Sequence, residues 1–181
     1  MKDRKLLNVE LGRVSTDAYK DLPASGVVVV LDNVRSAHNV GSAFRSADAF
    51  HVDRVLLCGI SAVPPSPEIH KSGLGAEDAV PWKHYDDTLE AVAALREQGY
   101  VVVSVEQTVH SVKLDAFRRD PDARYALVFG NEVSGVRQDV VDASDFSLEI
   151  PQFGSKHSLN VSVSVGVVLW EFVRQARFPL P

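Results

Sequence analysis

Apolar residues fall along this chain in two rhythms. Short continuous runs occur at Val27 to Leu31, Val55 to Gly59, Tyr100 to Val105, Tyr125 to Phe129 and Phe146 to Ile150. Runs this rich in β-branched residues fit strands buried on both faces of a parallel sheet. Val80 to Tyr85 adds a further short strand. Between them the spacing turns helical. Val40, Ala43, Ala47 and Phe50 share one face over Asn39 to Phe50, and a helix from Asp86 to Gln98 is capped by Asp86 or Asp87 and stopped by Gly99. Weaker helical signals cover Gln138 to Ala143 and Glu68 to Leu74, the latter ending at Gly73 or Gly75. Leu6 to Leu22 reads as an amphipathic helix with Asp17 near its start and Pro23 as its stop. Three prolines between Ala62 and Pro67 exclude regular structure there.

Strands alternating with helices imply an α/β fold, a mainly parallel sheet flanked by helices. No repeat, low-complexity segment or linker divides the chain. One domain over 1–181 is expected, with 1–25 as an N-terminal helical extension. The last quarter breaks the rhythm. A strand end at Ile150 leads through a polar loop, Gln152 to Asn160, into a helix that is apolar on almost every side as far as Phe172. Such a helix is buried all round or lies between two chains.

Composition narrows the class. Hydrophobic residues make up 45% and charged residues 24% of 181 positions, ordinary for a globular protein. The single cysteine, Cys58, sits in an apolar run, reads as a core thiol and fits a reducing cytoplasm. Met1 to Lys5 leads into no apolar segment, so no signal peptide is expected, and no run approaches the ~20 apolar residues of a membrane span. A net charge of −5 argues against nonspecific coating of nucleic acid but leaves room for a local basic site.

Ligands of open parallel sheets sit beyond the carboxyl ends of the strands. The loops after Leu31, Phe129 and Ile150 therefore belong together. The first offers Asn33, Arg35, His38, Asn39 and Arg45, the second Gly130 to Val136, the third Gln152, Lys156, His157, Ser158 and Asn160. Asn39 is expected to cap the helix that follows. Arg45 either pairs with Asp48 or joins the helix N-terminus in an anion site suited to a nucleic-acid phosphate. Gly130 lets a backbone or ligand come close. Glu132 is an acid/base or orienting group, or simply a carboxylate favoured by a helix dipole. Neither GxGxxG after Leu31 nor GxxxxGK[ST] occurs, which disfavours dehydrogenases and P-loop NTPases. Scattered histidines and one cysteine give no ligand pair, so no metal is expected. His157 and Ser158 lie in no GxSxG elbow, against a hydrolase.

Taken jointly, the loops resemble the SpoU (TrmH-like) family of RNA 2′-O-ribose methyltransferases, in the SPOUT superfamily. The first motif is Asn33-Val34-Arg35-Ser36-Ala37-His38-Asn39-Val40-Gly41 continuing through Arg45-Ser46-Ala47-Asp48-Ala49-Phe50. The second is Leu127-Val128-Phe129-Gly130-Asn131-Glu132-Val133-Ser134-Gly135-Val136. The third is Ile150-Pro151 followed by Ser158-Leu159-Asn160-Val161-Ser162-Val163. The likeness runs from about Val27 to Arg174. His51 stands where the family usually has Gly, and Ser46 where Thr is common. No additional N-terminal RNA-binding domain is expected, which leaves this domain and the Leu6–Leu22 helix to hold RNA.

The resemblance implies a C-terminal deep trefoil knot, a homodimer, S-adenosyl-L-methionine as methyl donor and a site built across the subunit boundary. It assigns cofactor contact to Gly130, Ile150 and Leu159, with the loop around Glu106 and Gln107 bordering the pocket. Catalysis falls to Arg45, helped by Asn39, Glu132, Ser158 and Asn160. A guanidinium, which stays protonated in proteins, suits phosphate holding or alkoxide stabilisation better than proton removal. A non-catalytic RNA-binding relative would show damage at Arg45, Glu132, Ser158 or Asn160, and none is damaged. Arg35, Arg54, Lys71, Lys156, Arg174 and Arg177 are the candidate contacts to tRNA or rRNA. Ser162 and Gly166 would admit another backbone, and Val161, Val165, Val168, Leu169 and Phe172 would be shared between core and partner subunit.

Overall fold

The computed structural model describes residues 3–23 and 25–176. Each apolar run becomes a strand, and a two-residue strand, β5, joins them: β1 (Val27–Asp32), β2 (Arg54–Cys58), β3 (Trp82–Tyr85), β4 (Tyr100–Val105), β5 (Val112–Lys113), β6 (Arg124–Phe129) and β7 (Phe146–Glu149). Helices alternate with them: α1 (Thr16–Lys20), α2 (Ala37–Ala49), α3 (Pro67–Gly73), α4 (Ala76–Ala79), α5 (Thr88–Glu97), α6 (Gln138–Ala143) and α7 (Val161–Gln175). The seven strands form one sheet in the order β3-β2-β1-β6-β4-β7-β5. All its pairings are parallel. The expected α/β fold with a parallel sheet is the observed one.

Central β1 shows why continuous apolar runs were needed: all six of its residues are buried. Val27, Val29 and Leu31 pack on one face with Phe44, Leu127 and Phe172, and Val28 and Val30 pack on the other with Leu56, Val92 and Leu95. Each such side chain removed from water contributes about 1.5–3 kcal/mol. Helix α2 lies tightly on α3. A Cβ at Gly41 would stand 2.4 Å from the Ile69 carbonyl oxygen, so only glycine lets the two backbones meet.

Three expectations are corrected, and two short elements were not foreseen. The Leu6–Leu22 helix shrinks to α1 plus a 3₁₀ turn at Asn8–Glu10, because Gly12 takes φ +60° and Leu6, Leu7, Leu11 and Val14 find no core to cover them. Only Tyr19 is buried, its hydroxyl donating to the Ala47 and Val52 carbonyls at 3.3 and 3.2 Å. Helix α2 begins earlier than expected, with Ser36 rather than Asn39 as cap, accepting from the Asn39 N–H. Strand β5 and helix α4, two and four residues long, are too short to leave a periodic signal. Helix α7 is not buried all round. Val165, Val168, Leu169 and Phe172 face the core, while Val163, Val167 and Trp170 are 50%, 37% and 55% exposed.

Within this chain the nearest atom to a Cβ at Gly166 would be Ser46 Oγ at 3.7 Å, an ordinary contact that does not require glycine. His51, at φ +50°, occupies the left-handed region that a glycine would enter freely, and its ring rests edge-on against Tyr19 at 5.0 Å. Among the described residues no helix is long and apolar enough to cross a membrane.

Candidate active site

The carboxyl ends of β4, β6 and β7 enclose a cavity of about 290 Å³. Val105, Phe129 and Leu148 form its floor, and Gln107, Gly130, Glu132, Ile150, Ser158 and Leu159 its walls. All the residues expected to contact a cofactor are therefore gathered there. Gly130 owes its place to backbone crowding. A Cβ on it would fall 2.0 Å from the Gly135 carbonyl carbon and the Val136 nitrogen, so the turn closes only without a side chain. That turn is a small antiparallel bridge in which Asn131 and Gly135 exchange backbone hydrogen bonds of 2.9 Å.

Hydrogen bonds sew the three loops into one body. Glu132 accepts from the backbone N–H groups of Arg35 and Ser36, each at 2.9 Å, and from Asn39 Nδ2 at 2.9 Å. Buried Asn39 passes the connection on, its Oδ1 accepting from Asn160 Nδ2 at 3.1 Å. Asn160 Oδ1 in turn caps α7 by accepting from Ser162 N at 2.9 Å. Asn131 Nδ2 adds a bond of 2.7 Å to the Asn33 carbonyl. Gln107 Nε2 donates at 2.7 Å to the His157 carbonyl, joining the loop after β4 to the loop after β7. Burial pushes the Glu132 carboxyl up, but the donors from Arg35, Asn39 and Ser36 outweigh it and hold the group below its ordinary value. It is an anion with occupied oxygens.

Expected residues separate into three groups. Glu132, Ser158, Gln107, Gly130, Ile150 and Leu159 line the cavity; Asn39 and Asn160 stand behind it as links. Arg45 is outside. It is exposed on α2 and makes no ion pair with Asp48 or any other carboxylate among the described residues. Gln152 and His157 also reach the cavity, whereas Lys71 and Lys156 are simply exposed. Arg174 is neutralised by Glu171 at 2.5 Å, and Arg177 lies outside the described residues.

One group escaped sequence reasoning, and a second, Glu106, was expected only to border the pocket. Asp32 belongs to β1 rather than to the loop, fully buried, accepting from Thr88 Oγ1 at 2.6 Å, Asn33 Nδ2 at 2.8 Å and Arg137 N at 2.9 Å. Its signal was an acid placed directly after five apolar residues. Glu106 braces the Gly135 turn, accepting from Val136 N at 2.9 Å. Cys58 is buried as expected, and burial pushes its thiol up to about 12.

The cavity lining includes Glu106, Glu132 and Glu149 and neither lysine nor arginine, although Lys113 pairs with Glu149 at 2.5 Å from outside it. Such a lining repels phosphate and suits a ligand with positive charge and an apolar body. Among the described residues a His70, Glu77 and Asp78 grouping has metal-like spacing, but it lies on α3 and α4, away from this cavity.

Comparison with known proteins agrees with this geometry. The model of the SpoU rRNA Methylase family matches residues 26–170. The 23S rRNA (guanosine-2′-O-)-methyltransferase RlmB of Nitrosomonas europaea is 36% identical over 163 residues, 88% of this chain and 60% of that protein. An AdoMet-bound rRNA methyltransferase from Sinorhizobium meliloti superposes with a TM-score of 0.77 at 28% identity, covering 86% of this chain and 59% of the other. A structure addressing 2-OH methylation of C/U34 on tRNA matches at TM-score 0.71 and 28% identity, covering 82% of this chain and 95% of the other. The chain spans about 60% of the length of the curated relatives it matches.

Proposed function

Because this chain belongs to the SpoU rRNA methylase family, we propose that it transfers a methyl group from S-adenosyl-L-methionine to a ribose 2′-hydroxyl of tRNA or rRNA. The observation that carries this reading is the polar link from Glu132 through Asn39 to Asn160 beside a cavity whose lining has three carboxylates and no lysine or arginine. The donor sets favour S-adenosylmethionine over a phosphorylated cofactor. Gly130, Ile150, Leu159 and Gln107 would hold it at the strand ends. When bound it supplies a methyl carbon made electrophilic by an adjacent sulfonium. One O–C bond forms, one C–S bond breaks, and the hydroxyl proton leaves to solvent or a protein group.

Glu132 acts here as a positioning residue, since its oxygens already accept three donors. It fixes the first-loop backbone and Asn39, and through Asn39 the start of α7. Ser158, on the cavity wall, would hydrogen-bond the ribose hydroxyl. Arg45 holds the neighbouring phosphate and stabilises developing charge on the 2′-oxygen. Its position outside the cavity of its own chain supports a site completed by a second subunit.

A homodimer is supported by the exposed Val163, Val167 and Trp170 of α7, with Trp170 beside Phe50 of the Arg45-bearing helix at 6.2 Å. A trefoil knot is supported by β7 pairing between β4 and β5, and by Arg119 donating to the Phe172 carbonyl and to Gln175 from the segment that follows β5. Single-molecule extension from the two ends tests it: a knotted chain stops short of its full contour length, and full extension refutes the knot. The lone thiol fits work in the cytoplasm, and the whole chain forms one domain.

Intact Arg45, Glu132, Ser158 and Asn160 argue against a non-catalytic RNA-binding relative. Calorimetry with S-adenosylmethionine, followed by transfer of its labelled methyl group into RNA from a strain lacking the protein, tests the proposal. Binding with 2′-O-methyl product is expected. Absence of both would sink it.

A further inference from the structure

We infer that the tip of the loop after β7, Phe153 to Lys156, grips the RNA nucleotide presented to the catalytic cavity. Its base stacks on the Phe153 ring, and an adjoining phosphate meets Lys156. This loop leaves the cavity and returns to it. Gln152 and His157, on either side of the tip, both line the cavity, so Phe153 and Lys156 each stand one Cα step, about 3.8 Å, from a lining residue. Gln107 Nε2 holds the His157 carbonyl at 2.7 Å and ties down the returning arm. Ser158, which would meet the ribose hydroxyl, follows directly on that arm.

Phe153 is 97% exposed, the most exposed large apolar side chain among the described residues. It belongs to neither core cluster and packs against no other ring. A single exposed apolar residue is ordinary on a protein surface. The surroundings set this one apart. Gln152, Ser155, Lys156 and His157 beside it are exposed and polar, and a Cβ at Gly154 would meet nothing within 4 Å, so the ring stands clear on an open tip. No acidic residue occurs from Ile150 to Trp170, in a chain of net charge −5. Lys156 makes no ion pair among the described residues.

Isolation and charge select the occupant. A protein partner buries a contiguous apolar core, which is what Val163, Val167 and Trp170 of α7 offer. One ring set among polar side chains, three residues from an unpaired ammonium, suits a nucleotide instead, with a flat base for the ring and a phosphate for the cation. The cavity lining has three carboxylates and no lysine or arginine, so the phosphate stays outside it, where Lys156 stands. This inference rests on the methyltransferase reading and adds to it the residues of the chain that hold the RNA beside the donor.

The test is filter binding of labelled tRNA and rRNA fractions from a strain lacking the protein, over a range of KCl, with methyl transfer into the same RNA. Phe153→Ala should weaken RNA binding by about fivefold or more, the loss of one stacked base, and lower kcat/KM for RNA to match. Its calorimetric affinity for S-adenosylmethionine and its mass on a sizing column should be unchanged. Phe153→Leu, apolar without a ring, should behave like Phe153→Ala, whereas Phe153→Trp should restore binding. Lys156→Gln should flatten the log K against log[salt] slope by roughly 0.7, one phosphate contact. Unchanged affinity in Phe153→Ala, full affinity in Phe153→Leu or an unchanged slope in Lys156→Gln overturns the inference. A Phe153→Ala protein that loses its dimer mass assigns the ring to a subunit contact and overturns it as well. Failure of the wild type to bind S-adenosylmethionine would instead sink the methyltransferase reading, while the ring and slope effects on RNA binding still decide what the tip holds.

Discussion

Glu132 joins residues almost a hundred positions apart in sequence, and its charge state decides whether that junction holds. Its carboxyl is pushed up by burial but pulled further down by the Arg35, Asn39 and Ser36 donors. A depressed acid stabilises the fold above its ordinary pKa and loses that contribution as pH falls through the lowered folded value. The junction is therefore whole at neutral pH and fails only in acid. Glu132→Gln keeps the shape but turns an amide N–H₂ toward N–H donors, at a cost of about 1–3 kcal/mol. Thermal denaturation from pH 7 to pH 3 should show the variant less stable at neutrality, with the gap to wild type closing in acid. A gap that stays constant would refute the ionic role. Gly130→Ala is a steric case: its Cβ would overlap the Gly135–Val136 peptide at 2.0 Å, so the turn must open. Loss of S-adenosylmethionine binding in calorimetry is expected, with far-ultraviolet circular dichroism nearly unchanged. Retained affinity would remove this turn from the cofactor site.

Helix α7 is the element where pattern and structure diverge most usefully. Its sequence lacks a polar stripe, which implies burial all round or a place between two chains, and Val163, Val167 and Trp170 stay exposed on the side away from the core. The periodicity was legible, and under the proposed dimer a second chain covers the exposed strip. Trp170→Glu places a charge in that apolar strip without disturbing Val165, Val168, Leu169 or Phe172 beneath. Light scattering on a sizing column should find the wild type dimeric and the variant monomeric, with methyl transfer falling by at least tenfold if Arg45 of one chain serves the other. A monomeric wild type would overturn the shared site. Capping shows the opposite limit. Asn39 and Ser36 are both good caps in sequence, and only the acceptor on Glu132 and the donor on Asn160 explain why Asn39 sits inside the helix with its amide spoken for.

At the scale of the whole molecule, the strands were readable because burial on both faces leaves no choice but continuous apolar residues. The gathering of three distant loops was readable because parallel strands end on one side. What stayed illegible was held by single contacts: the two-residue β5, the one-turn α4, and Asp32 satisfied by Thr88 and Arg137 from elements far along the chain. The cavity depends on the same long-range ties. Its walls come from the ends of β4, β6 and β7 and the start of α7, so a ligand there bridges segments more than fifty residues apart. Binding should then stabilise the entire fold. S-adenosylmethionine at a hundred times its Kd adds about 2.7 kcal/mol, which at ~2–4 °C per kcal/mol raises Tm by roughly 5–11 °C. Gln107→Ala removes the bond of 2.7 Å that closes the loop after β4 onto His157, and loosens the wall before the ligand arrives. Its apo Tm should fall by only a few degrees, whereas its ligand-induced rise at a fixed concentration should shrink by more. An equal rise in both proteins would mean that the loop after β4 takes no part in holding the cofactor.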